Sequence, residues 1–226
     1  MNRMKKWDTL HCFVMSAAGI AYWLMQYRSA VLAVALASFL FLLLSEWSIL
    51  KELHPFGGYA NWVTFLRWMI LILIFAFSGQ LSNVQIALLF LGLILLDGLD
   101  GFLARHFHHE TVLGANFDME TDALYVCMAS ILLLEKGLVG RWILIIGFLR
   151  YLYIVLVYFL GMHQLTEKRT RIGPIIGVLL FIGLLIPFIL PRIIYFPFLI
   201  VVSVMVSMSF SWSFYLLAKE KERQEN

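Results

Sequence analysis

Eight stretches of mostly apolar residues divide this chain, at roughly 9–27, 30–49, 62–79, 84–103, 116–135, 142–162, 173–191 and 194–218. An α-helix rises about 1.5 Å per residue, so about 20 residues of this kind cover the roughly 30 Å of hydrocarbon in a bilayer. Composition agrees with that reading. Of the 226 residues, 62% are hydrophobic and only 14% are charged, with a mean hydropathy of +0.88. A soluble domain is nearer half apolar and about a quarter charged. The expected fold is therefore an all-α integral membrane protein, a polytopic helical bundle of about eight transmembrane helices. A net charge of +3 is too small to argue for a nucleic-acid partner. Cys12 and Cys127 both lie inside apolar runs and read as small buried hydrophobes, with no disulfide or metal framework.

The basic start "MNRMKK" resembles that of a secretory signal, but its apolar stretch is long and lacks a clear small-residue cleavage site. A second apolar run follows almost at once, so the first segment is expected to be a retained helix. The break at Tyr27 to Ser29 is tight enough to make residues 1–54 a transmembrane hairpin ahead of a core at 55–226. Eight crossings put both termini on one side, with the joints near 50–61, 104–115 and 163–172. That side receives Arg3, Lys5, Lys6, Lys51, Arg105, Lys168, Arg169, Arg171, Lys219, Lys221 and Arg223. The other side has little more than Arg28, Lys136, Arg141 and Arg192. Lys and Arg accumulate in cytoplasmic loops, so the richer side is expected to be the cytoplasm, and the membrane the cell (inner) membrane.

Four aspartates at that cytoplasmic mouth are the chemical feature of the chain. In "DGLDGFLARHFHHETVLGANFDMETD", Asp97 and Asp100 end one apolar segment, and Asp118 and Asp122 begin the next. Each residue of a helix advances about 100°, so positions three, four, seven and eight apart share a face. Asp97, Asp100, Gly101, Ala104 and Arg105 form one such stripe, and Gly114, Asp118 and Asp122 form another. Glu120 faces nearly the opposite way and is not counted among the ligands. Converging carboxylates repel one another and are costly near hydrocarbon, and a cation removes both penalties. Hard oxygen donors suit Mg²⁺ or Mn²⁺, and four carboxylates can hold two ions with bound phosphates completing the shells.

The pattern D-x₂-D-G-x₂-A-R-x₈-G-x₃-D-x₃-D, met by Asp97, Asp100, Gly101, Ala104, Arg105, Gly114, Asp118 and Asp122, resembles the signature of the CDP-alcohol phosphotransferases. "NWVTFLR", with Asn61, Thr64 and Arg67, is similar to the opening of that family's first core helix. The resemblance covers about residues 55–218, a six-helix core, and leaves the hairpin outside it. It implies phospholipid synthesis, in which a CDP-linked lipid, usually CDP-diacylglycerol in bacteria, donates its phosphatidyl group to an alcohol and releases CMP. By the same resemblance Asp97, Asp100 and Asp118 ligate one metal ion at the pyrophosphate, and Asp118 and Asp122 complete a second. The resemblance also makes Asp122 the candidate general base toward the acceptor hydroxyl. Gly101, Ala104, Arg105, Gly114, Asn61 and Thr64 would line the CDP site. A homodimer is expected.

The acceptor is less legible. Arg150 lies within an apolar segment, where an ionisable residue is a functional suspect. With Arg169 and Arg171 it would welcome a phosphorylated acceptor. Arg150 can equally serve as a structural ion-pair partner, and the other two as anchors of membrane orientation. Two other classes share the aspartates: a Mg²⁺-dependent prenyltransferase-like enzyme, which normally carries two separated aspartate-rich motifs, and a divalent-cation transporter, which places carboxylates near the bilayer midplane.

Overall fold

A chain buried in hydrocarbon must satisfy its backbone amides internally, and the helix does so within each segment. The computed structural model describes residues 3–52, 58–107, 111–163, 165 and 172–225, with no side-chain description for 3, 49, 52, 100–107 and 225. Among these residues there is no strand. The helices are α1 (Arg3–Met25), α2 (Arg28–Ser45), the six-residue α3 (Trp47–Glu52), α4 (Tyr59–Phe77), α5 (Asn83–Phe107), α6 (Val112–Glu135), α7 (Ile143–Phe159), α8 (Gly173–Leu185) and α9 (Arg192–Glu225). The all-α expectation holds, with eight longer helices in the places where apolar segments were expected.

Local chemistry sets several of the boundaries. The hairpin between α1 and α2 turns within Gln26 and Tyr27, where Gln26 takes φ +56°. Gly58, at φ +113°, precedes α4 in a conformation that side chains with a Cβ rarely adopt. Thr111 caps α6, its hydroxyl accepting from the Gly114 amide at 3.0 Å. The segment expected at 173–191 is not one helix. It ends as an α-helix at Leu185 and passes through a single 3₁₀ turn at Ile186–Phe188, since Pro187 and Pro191 have no amide proton to continue the ladder. The C-terminal "KEKERQE" continues α9. At about 1.5 Å per residue, α9 is roughly 50 Å long and outruns the hydrocarbon.

Helix α6 is the centre of the bundle. Its buried residues run from Leu113 to Leu133 on all sides, and it packs against α4, α7 and α8, with α1 touching it as well. Around it, α4 pairs with α5, α8 with α9, and α1 lies along α7. Outward-facing Leu24, Leu44, Phe159 and Ile193 are each more than 70% exposed, which suits a lipid solvent and not water. The two ends of the bundle differ in chemistry. At one end Arg28 donates to Glu135 at 3.0 Å and to Ser78 at 2.7 Å, while Lys136 reaches the Leu81 carbonyl at 2.9 Å. The aspartates lie toward the other end.

Candidate metal and substrate site

The apolar run of α5, "IALLFLGLILL", stops at Leu96, directly before Asp97, and the helix continues past it to Phe107. Asp97 of α5 and Asp118 and Asp122 of α6 converge on one cation, Arg67 of α4. Its Nη1 donates to Asp118 Oδ1 at 2.7 Å, and its Nη2 lies 2.6 Å from both Asp97 Oδ1 and Asp122 Oδ1. The Arg67 side chain is 4% exposed, whereas those of Asp97, Asp118 and Asp122 are 28%, 40% and 34% exposed. The arginine therefore forms the floor of the site, and the carboxylates remain open to a ligand above it. Of the two stripes expected from helical periodicity, Asp97 of α5 and Asp118 with Asp122 of α6 meet here, on Arg67.

These three carboxylates fit a divalent ion. One ligand oxygen from each lies within 4.8 Å of the others. Three negative charges against the single charge of Arg67 leave an excess of two, and the donors are all hard oxygens. A second group, Asp8, Cys12 and Glu120, is equally close-set. There, two carboxylates already face Arg150, with His11 beside them, so no comparable excess of negative charge is left.

The motif residues around the carboxylates fall into three sets. Asn61 and Thr64 on α4 are buried, and the Thr64 hydroxyl donates to the Ala60 carbonyl at 3.1 Å. Gly114 faces α4: a Cβ there would collide with Asn61 Oδ1 and stand 3.0 Å from Thr111 Oγ1. The glycine thus permits close approach of α6 to α4, whatever it also does for a nucleotide. The side chains of Asp100, Gly101, Ala104 and Arg105 lie outside the described residues, although α5 runs unbroken through their positions. Arg169 and Arg171 lie outside the described residues altogether.

Glu120 behaves as its helical face requires. It is fully buried on the side of α6 away from the aspartates and pairs with Arg150, whose Nε donates to Glu120 Oε1 at 3.1 Å and whose Nη2 contacts the same oxygen. Arg150 Nη2 also lies 3.7 Å from Asp8 Oδ1 on α1. Of the two roles open to Arg150, the geometry displays the ion pair. Arg67 is the residue that sequence reasoning passed over. It stood in the "NWVTFLR" motif, three residues beyond Thr64, and a basic residue inside an apolar helix was itself the signal.

A helical bundle that is apolar outside, with converging carboxylates able to hold a divalent ion, defines a polytopic membrane protein with a candidate metal site. Residues 58–215, well over half of the chain, match the CDP-alcohol phosphatidyltransferase family, and the protein belongs to it. It is thereby a phosphotransferase of phospholipid biosynthesis, acting on a CDP-alcohol in the context of membrane lipid. Neither a curated protein nor a solved structure gives a match.

Proposed function

We propose that the protein moves a phosphatidyl group from CDP-diacylglycerol to the hydroxyl of an alcohol and releases CMP, with Mg²⁺ or Mn²⁺ held by Asp97, Asp100, Asp118 and Asp122. The observation that carries this reading is the meeting of Asp97, Asp118 and Asp122 at one point above Arg67. Bound divalent ions, two in number on the family resemblance, would neutralise the pyrophosphate and polarise the phosphorus under attack. The acceptor oxygen bonds to the phosphorus that carries the diacylglycerol, and the bond from that phosphorus to CMP breaks. Asp122 takes the hydroxyl proton. A free carboxyl has a pKa near 4 and is a weak base toward an alcohol, so its placement in the carboxylate cluster matters as much as its basicity.

Gly101, Ala104, Arg105, Gly114, Asn61 and Thr64 are assigned to the CDP moiety. For a phosphorylated acceptor, Arg169 and Arg171 supply cationic groups. Arg150 is the weaker choice of the three, because Glu120 and Asp8 already engage its guanidinium. In this reading the site opens to the cytoplasm of a cell inner membrane, both termini lie on that side, and two copies form a dimer. The prenyltransferase and transporter readings have no support comparable to the family match over 58–215.

Purified protein in detergent, given Mn²⁺ or Mg²⁺, CDP-diacylglycerol and a panel of alcohols including phosphorylated ones, should release CMP with at least one acceptor. The release should stop when the metal is chelated. Absence of CMP across the panel, with folded protein and both metals tried, would count against the reaction. Equal release in the presence of chelator would count against the metal.

A further inference from the structure

The family match begins at residue 58, yet α1, well outside it, supplies part of the surroundings of Glu120. Glu120 sits in α6 two residues after Asp118 and two before Asp122, about 200° round the helix from each. It is fully buried, as is His11 of α1. Arg150 of α7 holds Glu120 Oε1, and Asp8 of α1 lies 3.7 Å from the same guanidinium. On the other side, His11 Nε2 faces Glu120 Oε2 at 3.7 Å, and neither atom has a hydrogen-bond partner among the described residues. The imidazole is itself fixed, with Nδ1 2.7 Å from Ser38 Oγ of α2 and its ring stacked on Trp7 at 5.0 Å.

Such a cluster is a poor device for stability alone. A buried ion pair loses in desolvation much of what it gains in attraction, and well-packed apolar residues of similar volume often do as well. The better-attested use of buried polar groups is to specify one register among several. Here the register at stake is the rotation of α6 about its axis. Turning that helix swings Glu120 away from Arg150 and, by the same angle, swings Asp118 and Asp122 away from Asp97.

We infer that Glu120 is a positioning residue, held by Arg150, which Asp8 of α1 also engages, with His11 of α1 beside it, and that it fixes the rotation of α6 so that Asp118 and Asp122 face Asp97. Through it, α1 becomes part of the support of the metal site. The inference rests on the proposed metal-binding role of the aspartates. It does not depend on the identity of the acceptor.

The test uses the full chain in detergent and Mn²⁺ as probe. Bound and free Mn²⁺ are separated by electron paramagnetic resonance, and CDP binding in saturating Mn²⁺ is measured beside it. Asp8→Asn and Glu120→Gln should each weaken Mn²⁺ binding about tenfold, the lower end of what loss of a supporting partner costs a metal site. The double variant should be little worse than either single one, because both changes break one linkage. Glu135→Gln is the control: it removes the other ion pair between α6 and the hairpin, with Arg28 at 3.0 Å, about 20 Å along the helix from Asp122. It should lower thermal stability and leave Mn²⁺ affinity unchanged. If Asp8→Asn and Glu120→Gln lower stability without moving Mn²⁺ affinity, or if Glu135→Gln moves it equally, the cluster is plain scaffolding and the inference fails. Should Glu120→Gln not fold, Asp8→Asn decides alone, since that side chain is partly exposed at the bundle surface. A wild type that binds Mn²⁺ and CDP, with unmoved variants, overturns this inference only. A wild type that binds neither overturns the proposed function with it.

Discussion

Arg67 holds three carboxylates with two nitrogens, Nη1 on Asp118 and Nη2 shared by Asp97 and Asp122. Without that guanidinium the carboxylates would face one another with no other cation among the described side chains between them, and a divalent ion would be the remedy. Arg67→Gln should therefore be destabilised in chelator by about 3–5 kcal/mol, the usual loss when one partner of a buried pair is removed. Added Mn²⁺ should restore more stability to this variant than to the wild type, about 2.7 kcal/mol for an ion at a hundred times its dissociation constant. Thermal unfolding with and without metal checks this, and an equal metal response in both proteins would refute it. Asp122→Asn belongs to the same scale but reads a different role. It should leave more CDP binding intact than Asp97→Asn, yet slow CMP release about 10²-fold or more, the scale of a lost general base. Normal turnover in Asp122→Asn would remove the base from its assigned position. Glu120 shows where residue-level reading stops: periodicity turned it away from the aspartates and did not say what it meets. The structure buries it completely against Arg150.

Between elements, the closeness of helices is decided at glycines. Gly147 of α7 meets α6 so tightly that a Cβ there would stand 2.7 Å from Ser130 Cβ and 2.9 Å from its Oγ. Gly92 on α5 has nothing within 4 Å of the equivalent position. Small residues at helix contacts let backbones approach where lipid gives no hydrophobic drive to association. Gly147→Ala should thus destabilise by about 1–3 kcal/mol, the range for overpacking a filled contact. Gly92→Ala should be neutral or gain up to about 1 kcal/mol from helix propensity. Unfolding of both in one detergent compares them directly, and similar behaviour of the two would mean that α6 and α7 can part without cost. Elements also show what sequence periodicity could not supply. The Pro187 break shortens α8 to thirteen residues, and α1 reaches across to α6 and α7 although the hairpin had no assigned role.

For the whole molecule, the ends of the helices sort into two groups that never mix in the described contacts. Tyr22, Arg28, Ser78 and Glu135 meet at one end, while Asp8, Arg67, Asp97, Asp118 and Arg150 lie toward the other. Lys221 reaches the Leu160 carbonyl at 3.0 Å, which puts the far part of α9 beside the end of α7. Such sorting is what successive antiparallel crossings produce. With Cys12 and Cys127 replaced, cysteines at Met1 and Asn226 should resist an impermeant thiol reagent applied to intact cells. A cysteine at the exposed Gln80, in the turn between α4 and α5, should react. Labelling at either terminus would refute the proposed orientation.

Sequence alone determined the class of fold and the helix faces on which the aspartates fall, because both are written in local periodicities. Twenty-residue apolar runs need no partner to be read as membrane helices, and a 100° advance per residue is enough to place Asp97 on one face and Asp118 with Asp122 on another. It also separated Glu120 from them. Only the tertiary structure decided what stands opposite each face, since a contact between residues 67 and 118, or between 8 and 150, depends on how helices pack and not on any spacing along the chain. Helix packing made Arg67 the floor of the carboxylate site, gave Arg150 to Glu120 and Asp8, and brought the hairpin against α6.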